Sequence, residues 1–381
     1  MRILHMIPDI EVANGVMSVV LNYFKMMPPD IKFDVVYFSE KEKTMKPQIE
    51  ALGGRVYKIN PPSAKGLLKH EMSRFFAQHK NEWEVLHIHA PHFAVFMAPQ
   101  AKRAGIKKIC CHCHTTWYSL FAENEFRNRL LAAPAKHLAG TCFACGRDAG
   151  EFWFKNNFYV LPNAVDCAAF RFNAQRRVQI RHSLGLEDCL VCGNVGRLYP
   201  PQKNHPFILK IFAEVKKLRS DAKLLLVGAE ENADLLLLAK KLKIEKDVFF
   251  LGQRKDVADL LLAMDVFLFC QRKDVADLLL AMDVFLFPSL KEGLPVAAIE
   301  AQASGLPVLM SSAITREALV APNSKMLSLD LPPSEWARIA VDAALAPRKD
   351  NYNFMKAAGW DIKDRAAKLA DYYKTGVFND D

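Results

Sequence analysis

Along this chain, short apolar runs bounded by turn-forming residues alternate with longer stretches whose apolar positions recur at the spacing of a helix face. Runs of the first kind predict strands at Arg2–Ile7, Phe33–Phe38, Arg55–Ile59, Val85–His89, Lys108–Cys113 and Leu138–Ala144. A helix is predicted over about Val16–Met26. A second series begins at Cys189–Val195 and continues through Lys223–Val227, Val248–Leu251, Val284–Phe287, Val308–Met310 and Lys325–Leu329. Strict alternation of strand and helix is the pattern of parallel α/β sheets. The chain therefore reads as two doubly wound, Rossmann-like domains. The first spans residues 1–165 and the second 166–350, with the boundary at Pro162-Asn163-Ala164-Val165-Asp166 and the arginine-rich stretch that follows. A last helical stripe, about 351–376, has no strand left to cover and is expected to pack back on the first domain.

The pattern contains one anomaly. Gln253–Phe269 and Gln271–Phe287 are the same 17 residues repeated at a period of 18. Each copy encodes one helix and one strand, so the repeat is a tandem duplication inside the second domain. Two units are too few for a solenoid, which needs at least about three. Only one copy can fill the strand position that leads into Pro288. The second copy is continuous with that residue and is assigned to it, while the first is expected to bulge out or to add a strand at the sheet edge.

After that strand comes Pro288-Ser289-Leu290-Lys291-Glu292-Gly293-Leu294-Pro295, a glycine-bearing loop that enters a helix, with Pro295 suited to its first turn and Gly305 to its end. Backbone N–H groups at a helix start favour an anion. Two carboxylates, Glu292 and Glu300, would repel a bare phosphate and suit hydroxyl groups carried on the same ligand. A nucleotide-sugar combines both features. In a doubly wound sheet, ligands lie beyond the carboxyl ends of the strands, so Gly196-Arg197, Gly228 and this loop should share one rim.

Composition narrows the partners. With 51% hydrophobic and 24% charged residues, the 381-residue chain is globular and long enough for two cores. No apolar run reaches the ~18 residues of a spanning helix, and the start of the chain resembles a strand rather than a signal peptide, which points to the cytoplasm. A formal charge of +9 favours acidic partners such as nucleotide diphosphates or an anionic membrane surface. Nucleic acid is not favoured, because no recognition motif accompanies the charge. The segment Lys65–Lys80 mixes basic residues with Leu67, Leu68, Met72, Phe75 and Phe76; it suits a membrane surface less well than it suits a helix covering its own sheet. Cys142/Cys145 and Cys189/Cys192, together with the run Cys110-Cys111-His112-Cys113-His114, suggest zinc, but both pairs fall on strands, where such residues face opposite sides, so no metal site is expected.

The motifs Gly193-Asn194-Val195-Gly196-Arg197-Leu198, Lys203-Asn204-His205, Leu226-Val227-Gly228, Phe250-Leu251-Gly252 and Pro288–Pro307, in that order, resemble family 4 of the retaining glycosyltransferases. The likeness is strongest to bacterial enzymes of exopolysaccharide, capsule and lipopolysaccharide synthesis. It implies two facing Rossmann-like domains (the GT-B architecture), a hexosyl-type transfer, no cofactor and no catalytic metal. The expected donor is a UDP-sugar, and the expected acceptor is a glycan or an undecaprenyl-type lipid-linked glycan reached from the inner face of the cytoplasmic membrane. By the same resemblance, Arg197 and Lys203 would hold the donor diphosphate. Glu300 would take the ribose hydroxyls, Glu292 would lie near the transferred sugar, and the N–H groups of Gly293 and Leu294 would reach phosphate or sugar. Gly196, Gly228 and Gly15 would permit close backbone approach, with Asn14 tolerating positive φ. A histidine near the donor sugar would be His114 or His112, of which His114 comes last before the loop. Ala229 departs from the family's frequent second glycine. An impaired, glycosyltransferase-like protein disabled by the duplication is the competing expectation. A sugar-nucleotide epimerase or phosphorylase is disfavoured by the lack of its motifs.

Overall fold

The computed structural model describes all residues except 13, 41–43, 63–70, 120, 199–200, 229–231, 252–274 and 380–381. Two compact units emerge, one of Met1–Val165 with Trp360–Asp381, the other of Asp166–Gly359.

The first unit is a parallel sheet in the order β3-β2-β1-β4-β5-β6-β7. Its strands are β1 (Arg2–Met6), β2 (Lys32–Tyr37), β3 (Val56–Lys58), β4 (Val85–Ile88), β5 (Lys108–Cys113), β6 (Thr141–Ala144) and β7 (Tyr159–Val160). Central strands of a parallel sheet are covered on both faces, and β4, buried throughout, shows why its sequence is apolar apart from His87. The chain reverses direction across the sheet between β1 and β4, the switch point at which such folds open a crevice.

The second unit has the order β10-β9-β8-β11-β12-β13, with β8 (Val191–Val195), β9 (Lys223–Val227), β10 (Val248–Phe250), β11 (Val284–Phe287), β12 (Val308–Ser311) and β13 (Lys325–Leu327). Its switch point lies between β8 and β11. The core is built from Ile208, Phe212, Leu224, Leu226, Leu286 and Trp336 with their neighbours.

The second copy of the repeat fills the native slot. Its helix, Val275–Ala281, leads into β11, which pairs in parallel with β8 on one side and β12 on the other. Three arginines from outside the repeat secure it. Arg177 and Arg181 pair with Asp283, and Arg348 donates to the carbonyls of Leu279, Leu280 and Met282 at the end of the helix. Gly193 on β8 leaves the space that Met282 occupies; a Cβ there would stand 2.1 Å from its sulfur. The expected bulge or edge strand of the first copy lies outside the described residues. With β11 correctly paired and its loop continuous, the impaired alternative has no support.

The tail is two helices rather than one. Tyr352–Ala357 belongs to the second unit, and Ile362–Thr375 belongs to the first, so the helix that packs back begins at Ile362 and not near 351. Backbone bonds from Val165 to Trp360 and from Ile362 to Val165 fix where it enters. In the segment Lys65–Lys80, expected as a helix covering its own sheet, Lys65, Lys69 and His70 lie outside the described residues. The remainder, Glu71–Gln78, buries Phe75 and Phe76 against Tyr57 and Trp83 and so covers the sheet. No described helix is long and apolar enough to cross a membrane.

Candidate functional site

In the second unit, Gly196, Lys203, Gly228 and Glu292 meet beyond the carboxyl ends of β8, β9 and β11. Two loops are zipped together there. Leu290 N–H donates to the carbonyl of Gln202 at 2.8 Å, and the Asn204 side chain donates to the carbonyl of Pro288 at 3.2 Å. Below them, Asn194 reaches across from β8 to the carbonyl of Leu286 at 2.7 Å. Through these bonds Lys203 is aimed at Glu292, with Nζ 2.9 Å from Oε1 and only 15% and 9% of the two side chains exposed. The angle is outside hydrogen-bond geometry, so Glu292 Oε1 is paired in charge yet buried without a donor. Lys203 Nζ also stands 4.5 Å from the centre of the Phe287 ring. A Cβ on Gly196 would press against the Lys203 stem at 3.0 Å, which is the local reason for glycine in that position. Gly228, at φ +81°, lies over the Gly196 backbone. Arg197 is exposed at the same strand end. Ala229 lies outside the described residues.

Glu300 sits mid-helix in Val296–Ala303, and burial pushes its carboxyl up to about 8. Its residue surface is still partly open to solvent. Among the described residues, no donor is paired with its side chain. This is a carboxyl group that hydroxyl donors would stabilise in its ionised form. The proline ahead of it is a correction: Pro295 is the N-cap of that helix, with ψ 107°, and does not occupy its first turn. Gly305 ends the helix at φ +74°, where a Cβ would collide with the carbonyl of Lys349. Gly293 is half-buried and Leu294 buried.

In the first unit, Gly15 begins the helix Gly15–Met26 with open space where a Cβ would be. Asn14 does not adopt positive φ. It is an extended N-cap at φ −77°, its side chain accepting from the N–H groups of Val16 and Met17. His114 lies just past β5 and is buried. Its Nε2 lies 2.9 Å from His89 Nδ1 and its Nδ1 3.1 Å from Asn163 Oδ1. His112 bonds the carbonyl of Leu161 at 3.1 Å. Burial holds His114 at about 4 and His112 well below the usual imidazole range. Both histidines are therefore neutral at pH 7.

Sequence reading missed the partners His5, His87 and His89. The signal was present: histidines two apart on a strand, 87/89 and 112/114, share one face. In register, His5 pairs with His87 across β1 and β4. The groups His5/His87/His89 and His89/His112/His114 each bring three ring nitrogens within 4.8 Å. The eight described cysteines are free, and no cysteine belongs to either group.

The chain has counterparts among known proteins. The family described as "Glycosyl transferases group 1" matches residues 190–273 and 268–341, two stretches that meet inside the repeat. EpsF of Bacillus subtilis (strain 168), which bears a glycosyltransferase name, is 29% identical over 100% of this chain and 98% of its own length. Residues 190–341 of the chain thus resemble the group 1 glycosyltransferases. Another relative, the UDP-Gal:alpha-D-GlcNAc-diphosphoundecaprenol alpha-1,3-galactosyltransferase of Escherichia coli, is 24% identical over 96% of the chain and 95% of that enzyme. Among solved structures, Anabaena HepE in complex with UDP superposes with a TM-score of 0.76 at 17% identity, covering 98% and 100% of the two chains. At that identity the likeness is one of fold, two parallel-sheet α/β domains of the GT-B kind.

Proposed function

We propose that this glycosyltransferase takes a hexosyl group from a nucleotide-sugar, a UDP-sugar in the first instance, and retains its anomeric configuration on transfer to a glycan or undecaprenyl-type lipid-linked acceptor of surface polysaccharide synthesis. The Lys203–Glu292 pair carries the reading. It sets a cation and an unsatisfied carboxylate oxygen at the switch-point rim, where a diphosphate and a sugar hydroxyl would each find a partner.

Lys203 would turn from Glu292 to the diphosphate, joined by exposed Arg197. As the bond from the anomeric carbon to phosphate oxygen breaks, negative charge accumulates on the leaving group, and fixed cations stabilise that state more than the ground state. The acceptor oxygen forms the new bond on the same face, and its proton passes to the departing phosphate oxygen. Glu292, released from Lys203, would accept a hydrogen bond from the transferred sugar, and Glu300 would accept from the ribose hydroxyls. HepE is solved with UDP, with UDP and glucose, and with UDP-glucose, and the E. coli relative is named for a UDP-Gal donor and a diphosphoundecaprenol acceptor; both favour this choice of substrates.

For the acceptor and membrane, support comes from the helix Ala122–Ala132. It exposes Phe126 and Leu130 on neighbouring turns, beside exposed Phe121, Arg127 and Arg129. Apolar rings among arginines suit the inner face of an anionic membrane and a lipid-borne substrate. A thermal-shift panel of UDP-, GDP- and ADP-sugars tests the donor: one class should raise Tm selectively. No rise with any of them would count against the reading.

A further inference from the structure

The first unit buries a ribbon of imidazoles. His5 Nδ1 lies 2.9 Å from His89 Nε2, and His89 Nδ1 lies 2.9 Å from His114 Nε2; the successive rings are tilted by only 19° and 25°. Nearly coplanar rings at these distances are in-line N–H···N hydrogen bonds. The far end, His5 Nε2, is buried with no partner, and the near end meets Asn163 Oδ1.

Only two directions are open to such a chain. If every ring carries its proton on Nδ1, then His5 donates to His89, His89 to His114 and His114 to Asn163, and the orphan at His5 is a lone pair. In the reverse direction, the orphan would be a buried N–H. Buried N–H groups without acceptors are rarer than under-used acceptors, and the amide oxygen of Asn163 already faces His114. Both observations select the first direction. Burial keeps all three rings neutral, as the chain requires.

We propose that His89, backed by His5, is a positioning residue for His114: the ribbon fixes the His114 ring in its Nδ1–H tautomer, so that it offers a single, aimed hydrogen-bond donor to a ligand oxygen that displaces Asn163. This rests on the expectation, implied by the family resemblance, that a histidine at this position lies near the donor sugar. Sugar hydroxyl and ring oxygens accept such a bond, whereas the opposite tautomer would present only a lone pair. His5, His89 and His114 also belong to the two groups of histidines whose ring nitrogens lie within 4.8 Å of one another, so a metal ion there would compete with the ribbon for those rings.

Side-chain nitrogen NMR on histidine-labelled protein reads the tautomers directly. His5, His89 and His114 should all appear as neutral Nδ1–H forms. In His89→Phe, the Nε2–H form of His114 should become populated, and kcat/KM for donor turnover should fall about five- to tenfold, the weight of one hydrogen bond. His89→Gln, whose amide can still donate to Nε2, should restore the single tautomer and most of the rate. An Nε2–H His114 in the unaltered protein, an unchanged tautomer in His89→Phe, or stoichiometric zinc uptake that shifts these signals would each overturn the proposal. Absence of any nucleotide-sugar turnover would defeat the functional reading instead, and the tautomer measurement would still decide the ribbon.

Discussion

Replacing Glu300 by glutamine separates stability from binding at one atom pair. Burial raises this carboxyl from the ordinary 4.5 to about 8, so between those values the folded protein holds a proton that the unfolded chain has released. Folding stability then falls as pH rises through that window and is fully present only below it. The full interval corresponds to a ceiling of about 5 kcal/mol at 1.36 kcal/mol per pH unit. Glu300 keeps contact with solvent, and screening there reduces the expected cost to roughly 1–3 kcal/mol. Glu300→Gln, nearly isosteric and uncharged, should match the unaltered protein at pH 4.5 and exceed its Tm at pH 8, with a difference that widens steadily between. Calorimetry gives the second arm. Hydroxyl donors from a bound nucleotide should bring the carboxyl back down, so donor affinity should rise about tenfold from pH 7 to pH 9 in the unaltered protein. A UDP-sugar suits this arm because its diphosphate does not itself titrate there. The variant should bind weakly and without that slope. A Tm difference that does not change with pH would refute the reasoning.

Other outcomes follow from the same geometry. Lys203→Ala should lower kcat about 10²- to 10³-fold in a nucleotide-release assay, the scale of losing one preorganised charge partner. Asp283→Asn breaks contacts to Arg177, Arg181 and the N–H of Val191, and should destabilise the protein by about 3 kcal/mol in denaturant unfolding. Gly193→Ala should cost about 1–3 kcal/mol by forcing Met282 aside, measured the same way.

Most of the architecture was legible because both sheets are parallel and their strands read as apolar runs between helices. Copy two could be placed from chain continuity alone, since only it runs straight into Pro288. The arginines that secure it could not, because Arg177, Arg181 and Arg348 are brought to Asp283 by the fold and not by any spacing. The tail misled for a local reason. A helical stripe through Asn351–Thr375 ignores Gly359, at φ +80°, which ends one helix and lets Asp361 cap the next. Glu292, Glu300 and Lys203 were visible as motif residues, whereas the pairing of Lys203 with Glu292 needed the two zipped loops. The imidazole ribbon was half visible: the period-two histidines announced a common face, but His5 joins it only through the pairing of β1 with β4.

The account stands most directly on where the nucleotide binds. A crystal structure with a bound UDP-sugar should show the diphosphate within hydrogen-bond distance of Lys203 Nζ and the ribose hydroxyls on Glu300. A nucleotide seated elsewhere, with the Lys203–Glu292 pair undisturbed, would contradict it.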